Sequence, residues 1–524
     1  MTDLPRGWAT AEIGDLLYGI TAGKNLKCEE RPPQAHERGV IKVSAVTWGT
    51  FDASQSKTLP TSFQPVPETR IKAGDFLFSR ANTLELVGAV VMVRDDHPNL
   101  YLSDKVLRLD FPPELKPWLL VYLRSLEGRR KLGEVSSGNQ MSMRNIGQSS
   151  LKTVLIPLPP LNEQRRIVEK IEAMFDEIDK GVESLQTARA TLGLYRQSLL
   201  KSAFEGRLTA DWRVQNADKL EAPDKLLERA ECERDKWHRT AFEEWSEVVE
   251  GWKAAGSKGP KPRRPEVYKQ SEPLAAEELG LLPEIPEEWI FLRLNDIAAI
   301  GSGMSVSKSR KLDDPVEVPY LRVANVQRGF LDLDEIKTME IERSQADALG
   351  LATWDILFNE GGDRDKLGRG WVWENQVPNC ITQNHVFRAS PFRHDLTWSQ
   401  FISHWGNSFG RDYFEKGGKQ TTNLASINKT VLKALPVPYC SPDEQAEIVR
   451  LLDEKLEAAA ALEVEIDAAL ARANALRQSI LKKAFSGQLV PQDPNDEPAS
   501  ALLERIKADR ARASKAPGKR KATA

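Results

Sequence analysis

The sequence RQSLLKSAFEGRL at Arg196–Leu208 returns as RQSILKKAFSGQL at Arg477–Leu489, about 280 positions later. Matches continue outward from both stretches at nearly the same spacing. They place Glu163-Gln164 on Glu444-Gln445, Val106-Leu-Arg108 on Val386-Phe-Arg388, Asp75–Phe78 on Asp355–Phe358, Ile41–Asp52 on Leu321–Asp332, and Trp8 on Trp289. Self-similarity at one long period is the signature of a repeated structural unit. The chain is therefore predicted to be a tandem repeat of one fold.

The composition is that of an ordinary globular chain with nearly balanced charge. Its 524 residues are 40% hydrophobic and 28% charged, with a formal net charge of −3. That length suits three or four units of ~100–200 residues each. The small negative charge excludes a protein that coats nucleic acid by bulk charge, although a local basic surface remains compatible with it.

Neither a membrane segment nor a disulfide framework is expected. The longest apolar run, Val87–Val93, is far shorter than the ~18–20 residues of a membrane span, and the first residues lack the pattern of a secretory signal. The cysteines are far apart and form no Cys-x-x-Cys spacing: Cys28, Cys232, Cys380 and Cys440. We therefore expect a cytoplasmic protein without a membrane partner.

Each repeat begins with a segment that is predicted to be mixed α/β. Short β-branched runs bounded by turn residues predict strands in the first copy at Val40–Val46, Asp75–Phe78, Val87–Val93 and Lys105–Leu109. Helices are predicted near Pro117–Lys131 and, in the second copy, near Trp398–Lys416. A proline-rich joint, at Ile156–Pro160 and at Leu435–Pro438, then ends each globular segment.

A long helix is predicted after each joint, at 162–204 and at 443–485, with Asn162 and Asp443 as N-caps and Gly206 and Gly487 as stops. Apolar residues recur along both helices at heptad spacing. This seam consists of Ile171, Phe175, Ile178, Val182, Leu185, Leu192 and Leu199, and of Leu452, Leu456, Ala459, Ile466, Leu470, Ala473 and Ile480. The pattern favours a coiled coil over an amphipathic helix that packs on its own domain.

The stretch Asp211–Leu282 has no counterpart of similar length in the second repeat, apart from LLER at Leu226–Arg229 and Leu502–Arg505. Its run Gly256–Pro265 is predicted to be a flexible basic linker, and the tail from Lys507 to be weakly structured. The predicted organisation is a globular domain at 1–160, a helical spacer at 161–208, a charged insertion at 209–282, a second domain at 283–440, a second helical spacer at 441–488 and a tail at 489–524.

The sequence indicates no catalytic, cofactor-binding or metal site. It contains no complete Gly-x-Gly-x-x-Gly and no phosphate-binding loop. It also lacks the Asn/Asp-Pro-Pro-Tyr/Phe tetrapeptide with which amino-methyltransferases grip a flipped base. The six histidines show no metal-binding spacing. The chain is therefore expected to act by binding and not to be an enzyme.

Basic and amide side chains collect in the loops of both globular segments. Arg and Lys hold phosphates and guanine, while Asn and Gln pair with adenine, so such loops could supply both positioning and base readout. The DNA-binding candidates are Lys24, Asn25, Lys27, Arg80, Asn82, Asn139, Gln140 and Arg144 in the first copy, and Lys308, Arg310, Lys311, Arg364, Lys366, Lys419, Gln420 and Asn423 in the second.

The whole arrangement resembles the specificity subunit of type I restriction–modification systems. The resemblance is carried by two α/β segments, each followed by a proline-rich joint, by Glu-Gln-x-x-Ile-Val, and by a long helix ending in Arg-Gln-Ser-[Leu/Ile]-Leu-Lys-x-Ala-Phe-x-Gly-x-Leu. It covers residues 5–210 and 284–506. It implies two tandem target-recognition domains, separated by two long helices that form an antiparallel coiled coil.

The resemblance also implies a function and partners. Each domain would read one half of a split target in double-stranded DNA, and the helices would dock two methyltransferase (modification) subunits and the restriction subunits, which carry translocation and cleavage. S-adenosylmethionine, ATP and Mg would be used by those partners and not by this chain. Two alternatives from other classes stay open: a self-contained DNA methyltransferase or nuclease, and a coiled-coil scaffold that does not bind DNA.

Overall fold

The computed structural model describes residues 4–140, 143–257, 261–262, 264–306, 312–362, 366–417, 419–420 and 425–515. The chain divides into two compact units. Unit 1 comprises Met1–Gln186 and Ile466–Ala524, and unit 2 comprises Thr187–Glu465. Because the unit boundaries fall within the two long helices, each unit contains one globular domain and a part of both helices.

The first domain lies in unit 1 and consists of short strands and short helices. Its strands are β1 (Ala9–Glu12), β2 (Gly19–Ala22), β3 (Gly39–Ile41), β4 (Ser56–Thr58), β5 (Arg70–Ile71), β6 (Phe76–Ser79), β7 (Ala81–Asn82), β8 (Val90–Met92), β9 (His97–Tyr101), β10 (Val106–Asp110), β11 (Ser137–Gln140), β12 (Met143–Asn145) and β13 (Leu155–Leu158). Its helices are α1 (Ile13–Leu16), α2 (Lys116–Arg124), α3 (Leu126–Glu134) and α4 (Gln148–Lys152).

Four further helices follow before the second domain: α5 (Leu161–Phe204), α6 (Ala210–Gln215), α7 (Pro223–Ala254) and α8 (Ala276–Leu279). The strands of the second domain are β14 (Ile290–Arg293), β15 (Ala298–Ser302), β16 (Pro315–Leu321), β17 (Val326–Gln327), β18 (Phe330–Leu331), β19 (Lys337–Glu342), β20 (Ile356–Asn359), β21 (Gly361–Gly362), β22 (Gly370–Val372), β23 (Ile381–Thr382), β24 (Val386–Pro391), β25 (Lys419–Gln420), β26 (Ala425–Ser426) and β27 (Pro436–Tyr439). Its helices are α9 (Leu294–Ile297), α10 (Arg343–Leu349), α11 (Leu396–Asn407), α12 (Phe409–Gly417) and α13 (Lys429–Lys433), and α14 (Pro442–Phe485) and α15 (Ala499–Lys515) come last.

A four-stranded antiparallel sheet forms the middle layer of the first domain, in the order β2-β10-β6-β8. Its interior strand β6 is buried along its whole length. Phe76 and Phe78 join the larger apolar core, which contains Trp118, whereas Leu77 joins a second apolar cluster. Since successive side chains of a strand point to opposite faces, the sheet is covered by apolar residues on both sides.

The second domain repeats this topology. Its four-stranded sheet has the order β15-β24-β20-β22, and Leu357 of β20 again belongs to a different apolar cluster from Ile356 and Phe358. The pair β14–β27 corresponds to β1–β13, and the small sheet β21-β26-β25 corresponds to β7-β12-β11. The predicted mixed α/β class, with two tandem domains and two long helices, is confirmed.

Several predicted elements differ from the observed ones at their ends. The strand predicted at Val40–Val46 stops at Ile41 and continues as a 3-10 turn at Val43–Ala45. The helix predicted at Pro117–Lys131 is two helices, because the Ser125 hydroxyl accepts a hydrogen bond from Gly128 N (3.1 Å) and so caps a new helix. The helix predicted near Trp398 is divided in the same way, between α11 and α12.

Each repeated domain also contains an ion pair that joins its two central strands. Arg108 of β10 lies 2.6 Å from Asp75, which precedes β6. In the second domain the corresponding pair, Arg388 and Asp355, is 3.8 Å apart. Burial raises the pKa of the Asp355 carboxyl, and the Arg388 charge acts in the opposite direction. These pairs account for the repeat matches at both strands.

The repeated stretch quoted first places one phenylalanine in each aromatic core. Phe204, the last residue of α5, lies 5.2 Å from the ring centroids of both Phe401 and Trp405 in unit 2. Phe485, the last residue of α14, lies 5.5 Å from Trp118 and 5.0 Å from Tyr122 in unit 1. Helix α5, which follows the first domain, therefore ends in the core of the second, and α14, which follows the second domain, ends in the core of the first.

Both helices stop at a glycine in the left-handed conformation, as predicted. Gly206 and Gly487 each have φ of +70°. A Cβ atom at Gly206 would lie 2.3 Å from Pro286 Cγ, and one at Gly487 would lie 2.5 Å from Pro5 Cγ. Glycine is thus needed for the backbone conformation and for the close approach. The helices begin at Leu161 and Pro442, so the residues predicted as N-caps lie inside the first turn.

The glutamate of each Glu-Gln pair is buried and accepts a hydrogen bond from the tryptophan that opens its domain. Trp8 Nε1 donates to Glu163 Oε1 (3.0 Å), and Trp289 Nε1 donates to Glu444 Oε2 (2.9 Å). Burial raises the pKa of Glu163, and the hydrogen bond from Trp8 opposes that shift. These contacts fix the start of each long helix to the first strand of its own domain.

The glutamines fix the same helices to the proline-rich joints. Gln164 Nε2 donates to the carbonyl oxygen of Pro159 (2.8 Å), and Gln445 Nε2 donates to that of Cys440 (2.7 Å). Both glutamine side chains are buried. Pro159 and Cys440 directly follow the last paired strand of each domain, and the buried side-chain amide satisfies the carbonyl at that point.

The seam residues lie on the protected side of both helices. None of them is exposed, whereas most of their neighbours along each helix are. In unit 1 the first half of α5 packs with the end of α14, where Arg477 pairs with Asp179. In unit 2 the end of α5 packs with the first half of α14, where Arg196 lies 2.7 Å from Glu463. Each unit therefore holds its parts of the two helices in antiparallel order.

The repeat reaches further than the sequence matches indicated. Leu226 and Ala230 of α7 are buried in the core of unit 2, and Leu502 and Ile506 of α15 are buried in the core of unit 1. The repeated LLER sequence thus marks two equivalent docking helices. Arg510 Nη1 donates to the carbonyl oxygens of two α1 residues at 2.9 and 3.1 Å. The expectation of a weakly structured tail is therefore wrong up to Lys515, and residues 516–524 lie outside the described residues.

The run predicted to be a flexible linker is held along α7 where the structure describes it. The carbonyl oxygen of Pro262 accepts a hydrogen bond from Trp245 Nε1 (3.1 Å), and the Arg264 guanidinium lies 4.9 Å from the Phe242 ring centroid. Residues 258–260 and 263 lie outside the described residues. The prediction of a flexible linker is wrong here because it rested on composition alone, which does not show that aromatic side chains of α7 contact this segment. Among the described residues, no helix is both long and apolar enough to cross a bilayer.

We predict that Glu444→Ala destabilises the protein strongly. Glu444 is fully buried; its Oε1 accepts hydrogen bonds from Thr209 (2.7 Å) and Arg213 (2.6 Å), besides the one that Trp289 donates to Oε2. Removing one partner of a buried ion pair costs about 3–5 kcal/mol. Denaturant unfolding should show a loss of this size, whereas Glu457→Ala, at an exposed position of the same helix, should change the free energy by less than about 0.5 kcal/mol. Equal effects would contradict the role given to Glu444.

Candidate nucleic-acid interface

The candidates of the first domain meet at one edge of its four-stranded sheet. Strands β2 and β6 are both antiparallel to β10, and Ala22 and Phe78 both lie opposite Leu107. The carboxyl ends of β2 and β6 therefore lie at the same edge of the sheet, on either side of the start of β10. We call residues 23–27, 80–82 and 103–105, which follow β2, follow β6 and precede β10, the first edge. It contains Lys24, Asn25, Lys27, Arg80 and Asn82.

Backbone hydrogen bonds tie these segments together. Gly23 N donates to the carbonyl oxygen of Ser103 (3.1 Å), and Arg80 N donates to that of Lys105 (3.0 Å). The side chains of Lys24, Asn25 and Lys27 are exposed, and those of Arg80 and Asn82 are half-buried. The edge is thus a firm backbone platform that presents cations and amides to solvent.

The small sheet adds the remaining candidates of the first domain. Strand β7 belongs to the first edge and pairs with β12, in which Arg144 lies opposite Asn82. Strand β12 pairs in turn with β11, which contains Asn139 and Gln140. The fold therefore brings residues more than fifty positions apart in the sequence to one side of the domain.

Several of these side chains already have partners. Arg80 Nε donates to Asn145 Oδ1 (3.3 Å), and Asn82 Nδ2 donates to Ser79 Oγ (3.3 Å). Arg144 makes hydrogen bonds to Ser136 and Gly138. Of the predicted candidates at this edge, Lys24 and Lys27 are the exposed cations and have the best access to a phosphate.

The second domain has an equivalent edge. Strands β15 and β20 are antiparallel to β24, with Ser302 and Phe358 both opposite Phe387. The second edge comprises residues 303–306, 360–362 and 383–385, and Lys366 lies beside it, since a Cβ atom at Gly362 would be 3.3 Å from Lys366 Cβ. Lys419 and Gln420 form β25 of its small sheet. The remaining candidates fall outside the described residues: Lys308, Arg310, Lys311, Arg364 and Asn423.

Sequence reasoning missed three residues at these edges. Lys105 is exposed beside Arg80. In the second domain the repeat places Glu360 and His385 at the same two positions, where Glu360 N donates to the carbonyl oxygen of His385 (2.9 Å). Their side chains also meet, with His385 Nδ1 2.8 Å from Glu360 Oε2. The repeat alignment combined with the strand order would have found all three.

The two edges therefore share a backbone frame and differ in chemistry. Within their described residues, the first edge carries the exposed cations Lys24, Lys27 and Lys105, whereas the second carries the pair Glu360–His385. Cations suit phosphates, and a carboxylate accepts a hydrogen bond from the cytosine amino group. Among the described residues, no group of three or more His, Cys, Asp or Glu is arranged to hold a metal ion.

Comparison with known proteins identifies the class of this repeated fold. The family model described as "Type I restriction modification DNA specificity domain" matches residues 5–185 and 286–472. These two matches cover both α/β domains and most of both long helices. The chain belongs to the type I restriction modification DNA specificity domain family, which confirms the resemblance stated from the sequence.

Individual relatives extend over nearly the whole chain. The specificity subunit of the type I restriction enzyme EcoKI from Escherichia coli (strain K12) is 24% identical and covers 97% of this chain and 96% of its own length. That of EcoBI from Escherichia coli is 26% identical, over 95% of this chain and 91% of its own. A solved chain from a study of assembly and conformational transition of the type I R-M system is similar in fold, with a TM-score of 0.59, 18% identity and coverage of 93% of this chain and 100% of its own.

We predict that Lys105→Ala weakens DNA binding equally for all duplex sequences. An exposed ammonium that contacts one phosphate adds about 0.9 to the slope of log affinity against log salt concentration, and its removal should take that amount away. The measurement is fluorescence anisotropy with labelled duplexes at 50–200 mM salt. Lys116→Ala is the matched control, because Lys116 Nζ donates to the carbonyl oxygen of Gly74 (2.7 Å) at the opposite end of the same sheet. A larger slope change for the control would contradict the assignment of the edge.

Proposed function

We propose that the chain is the sequence-specific DNA-binding specificity subunit of a type I restriction–modification complex, in which each domain reads one half of a two-part target. The observation that carries this proposal is the pair of equivalent edges with different side chains. A repeated frame gives both domains the same way of approaching a duplex. Different residues on that frame give each domain its own base preference.

The chain's role in this complex is recognition, and chemistry belongs to its partners. Methyltransferase subunits would use S-adenosylmethionine, and restriction subunits would use ATP and Mg. Exposed apolar residues on the outer faces of the long helices support docking of such subunits. Tyr195 and Leu476 hold equivalent positions of the repeat and are both exposed, as is Leu194 beside the first.

Two alternatives make different predictions. A self-contained methyltransferase or nuclease would modify or cut DNA as a purified chain without partners. A scaffold without base readout would bind specific and random duplexes equally. The proposed function requires that the chain discriminates between duplexes and that modification depends on added methyltransferase subunits.

Exchange of one domain should change one half of the target. We expect that replacing residues 283–437 with the corresponding domain of another family member alters a single half-site, because each domain has its own core and its own edge. The measurement is methylation mapping of genomic DNA exposed to the assembled complex. The reciprocal replacement of residues 1–158 serves as the control and should alter only the other half. A change in both halves from either exchange would show that the domains do not read independently.

The length of the long helices should set the spacing between the half-sites. Duplicating one heptad in each helix, at 178–184 and 459–465, lengthens it by ~10.5 Å. Because DNA rises ~3.4 Å per base pair, the spacer of the preferred target should grow by about three base pairs while both half-sites stay the same. Methylation of a library of spacer lengths measures this.

A two-residue insertion at the same places is the matched control for the heptad duplication. It rotates the seam by roughly 200°, exposes the apolar residues and should prevent assembly. An unchanged spacer in a folded complex with the added heptads would mean that the helices do not set the distance.

A further inference from the structure

The small sheet of the first domain contains a β-bulge. Pairing between β11 and β12 shifts register between Ser137 and Gln140, so that Gly138 and Asn139 together lie opposite Arg144. Two residues opposite one is the defining geometry of a bulge, which bends the strand and redirects it. The strand that it redirects is the one that carries Asn139 and Gln140.

The bulge requires glycine at its first position. Gly138 has φ of +129°, a conformation that residues with side chains rarely adopt. A Cβ atom there would also lie 2.7 Å from the carbonyl oxygen of Met143 on the paired strand. Both the backbone conformation and the available space therefore depend on this glycine.

The guanidinium of Arg144 binds two carbonyl groups, one in the bulge and one just before β11. Its Nη1 donates to the carbonyl oxygen of Gly138 (2.7 Å), and its Nη2 donates to that of Ser136 (2.8 Å). The Ser136 hydroxyl accepts from both Nε (3.1 Å) and Nη2 (2.9 Å). The side chain is half-buried against the strand that it fixes.

These contacts leave Arg144 unable to read guanine in the usual way. Four of its five N–H groups are engaged within the protein. Recognition of guanine by arginine uses two adjacent N–H groups as a fork onto O6 and N7. Among contacts to the described residues, one N–H group, on Nη1, is left, which is enough for a single contact but not for a fork.

The second domain provides an internal comparison. The residue at the position of Arg144 is Ala425, which lies opposite Gly362 as Arg144 lies opposite Asn82. There the strand pairs regularly, with Lys419 opposite Ser426 and Gln420 opposite Ala425. Within the described residues, the domain with the arginine has the bulge, and the domain with alanine at this position has two consecutive regular pairs.

We propose that Arg144 is a positioning residue for the first half-site: it fixes the bulge that sets the course of the strand carrying Asn139 and Gln140, and it does not itself read a base. The proposal rests on the proposed reading of one half-site by each domain. It assigns the base contacts of the small sheet to other side chains and makes the shape of β11 the source of specificity.

The test uses the complex of the full chain with its methyltransferase subunits and a duplex library randomised in both half-sites. Arg144→Ala and Gly138→Ala should each reduce selection at the first half-site by about tenfold, spread over more than one base pair. Gly138 has no side chain with which to read DNA. If Gly138→Ala and Arg144→Ala lose the same selection, the geometry of the bulge is therefore the cause. Arg144→Lys should behave like Arg144→Ala, since an ammonium lacks the planar fork that spans both carbonyl groups.

Two further readouts separate positioning from direct contact. The second half-site serves as the internal control and should be selected as in the wild type. The slope of log affinity against log salt should also stay unchanged, since no phosphate contact is lost. A slope reduced by about 0.9 in Arg144→Ala would reveal a phosphate contact and overturn the proposal. Relaxation at a single base pair in Arg144→Ala, with none in Gly138→Ala, would reveal a base contact and overturn it equally.

The remaining outcomes are also decisive. If the Arg144→Ala chain does not assemble with its partners, Gly138→Ala provides the test. Loss of selection at the first half-site then supports the proposal, and retained selection overturns it. Wild-type selection of the first half-site by both variants would overturn the positioning role of Arg144 but not the proposed function. A wild-type complex without a two-part target would instead overturn the proposed function.

Discussion

Phe204 packs into the aromatic core of the second domain, and Phe485 packs into that of the first. The arrangement of the chain follows from this exchange of helix ends between the two domains. Phe204 is buried and Phe485 is half-buried; a fully buried aromatic side chain removes on the order of 150–250 Å² from water. The ring centroid of each lies within about 5.5 Å of aromatic rings of the domain that it enters. Gly206 and Gly487 then let the chain turn against a proline of that same domain. Ring contacts thus fix the helix ends, and the hydrogen bonds of Trp8 and its repeat partner to buried glutamates fix the helix starts.

The parts of the fold that could be predicted from the sequence are those in which the residue pattern is compatible with one local structure only. The helix ends at positions 204 and 485, the glycine stops and the heptad seam follow from spacing alone, because 3.6-residue periodicity and left-handed glycine leave little choice. The division of the helix at Ser125 and the course of residues 261–262 and 264–268 along α7 could not be predicted in that way. They depend on tertiary contacts that override local composition.

The candidate interface was predictable in composition but not in geometry. Residue types indicated the loops around Lys24 and Arg80, yet their meeting at one edge depends on the order β2-β10-β6. That order also reveals Lys105 and its counterpart His385, neither of which stands out in the sequence. Arg144 shows the converse, since an arginine in a polar loop suggests DNA contact until its hydrogen bonds are known. The two domains thus keep the residues that build the frame and vary those at the edge, so that recognition can change without rebuilding the core.

The exchange of helix ends also sets an order for folding during synthesis. Unit 2 is one continuous stretch, whereas unit 1 combines residues from both ends of the chain. At ~5–20 residues per second, a ribosome has delivered all of unit 2 while Trp118 and Tyr122 still await Phe485, Leu502 and Ile506. The domain whose residues emerge first is therefore the last to close its core, and its apolar surface stays open to solvent, or to a chaperone, until Ile506 has left the ribosome.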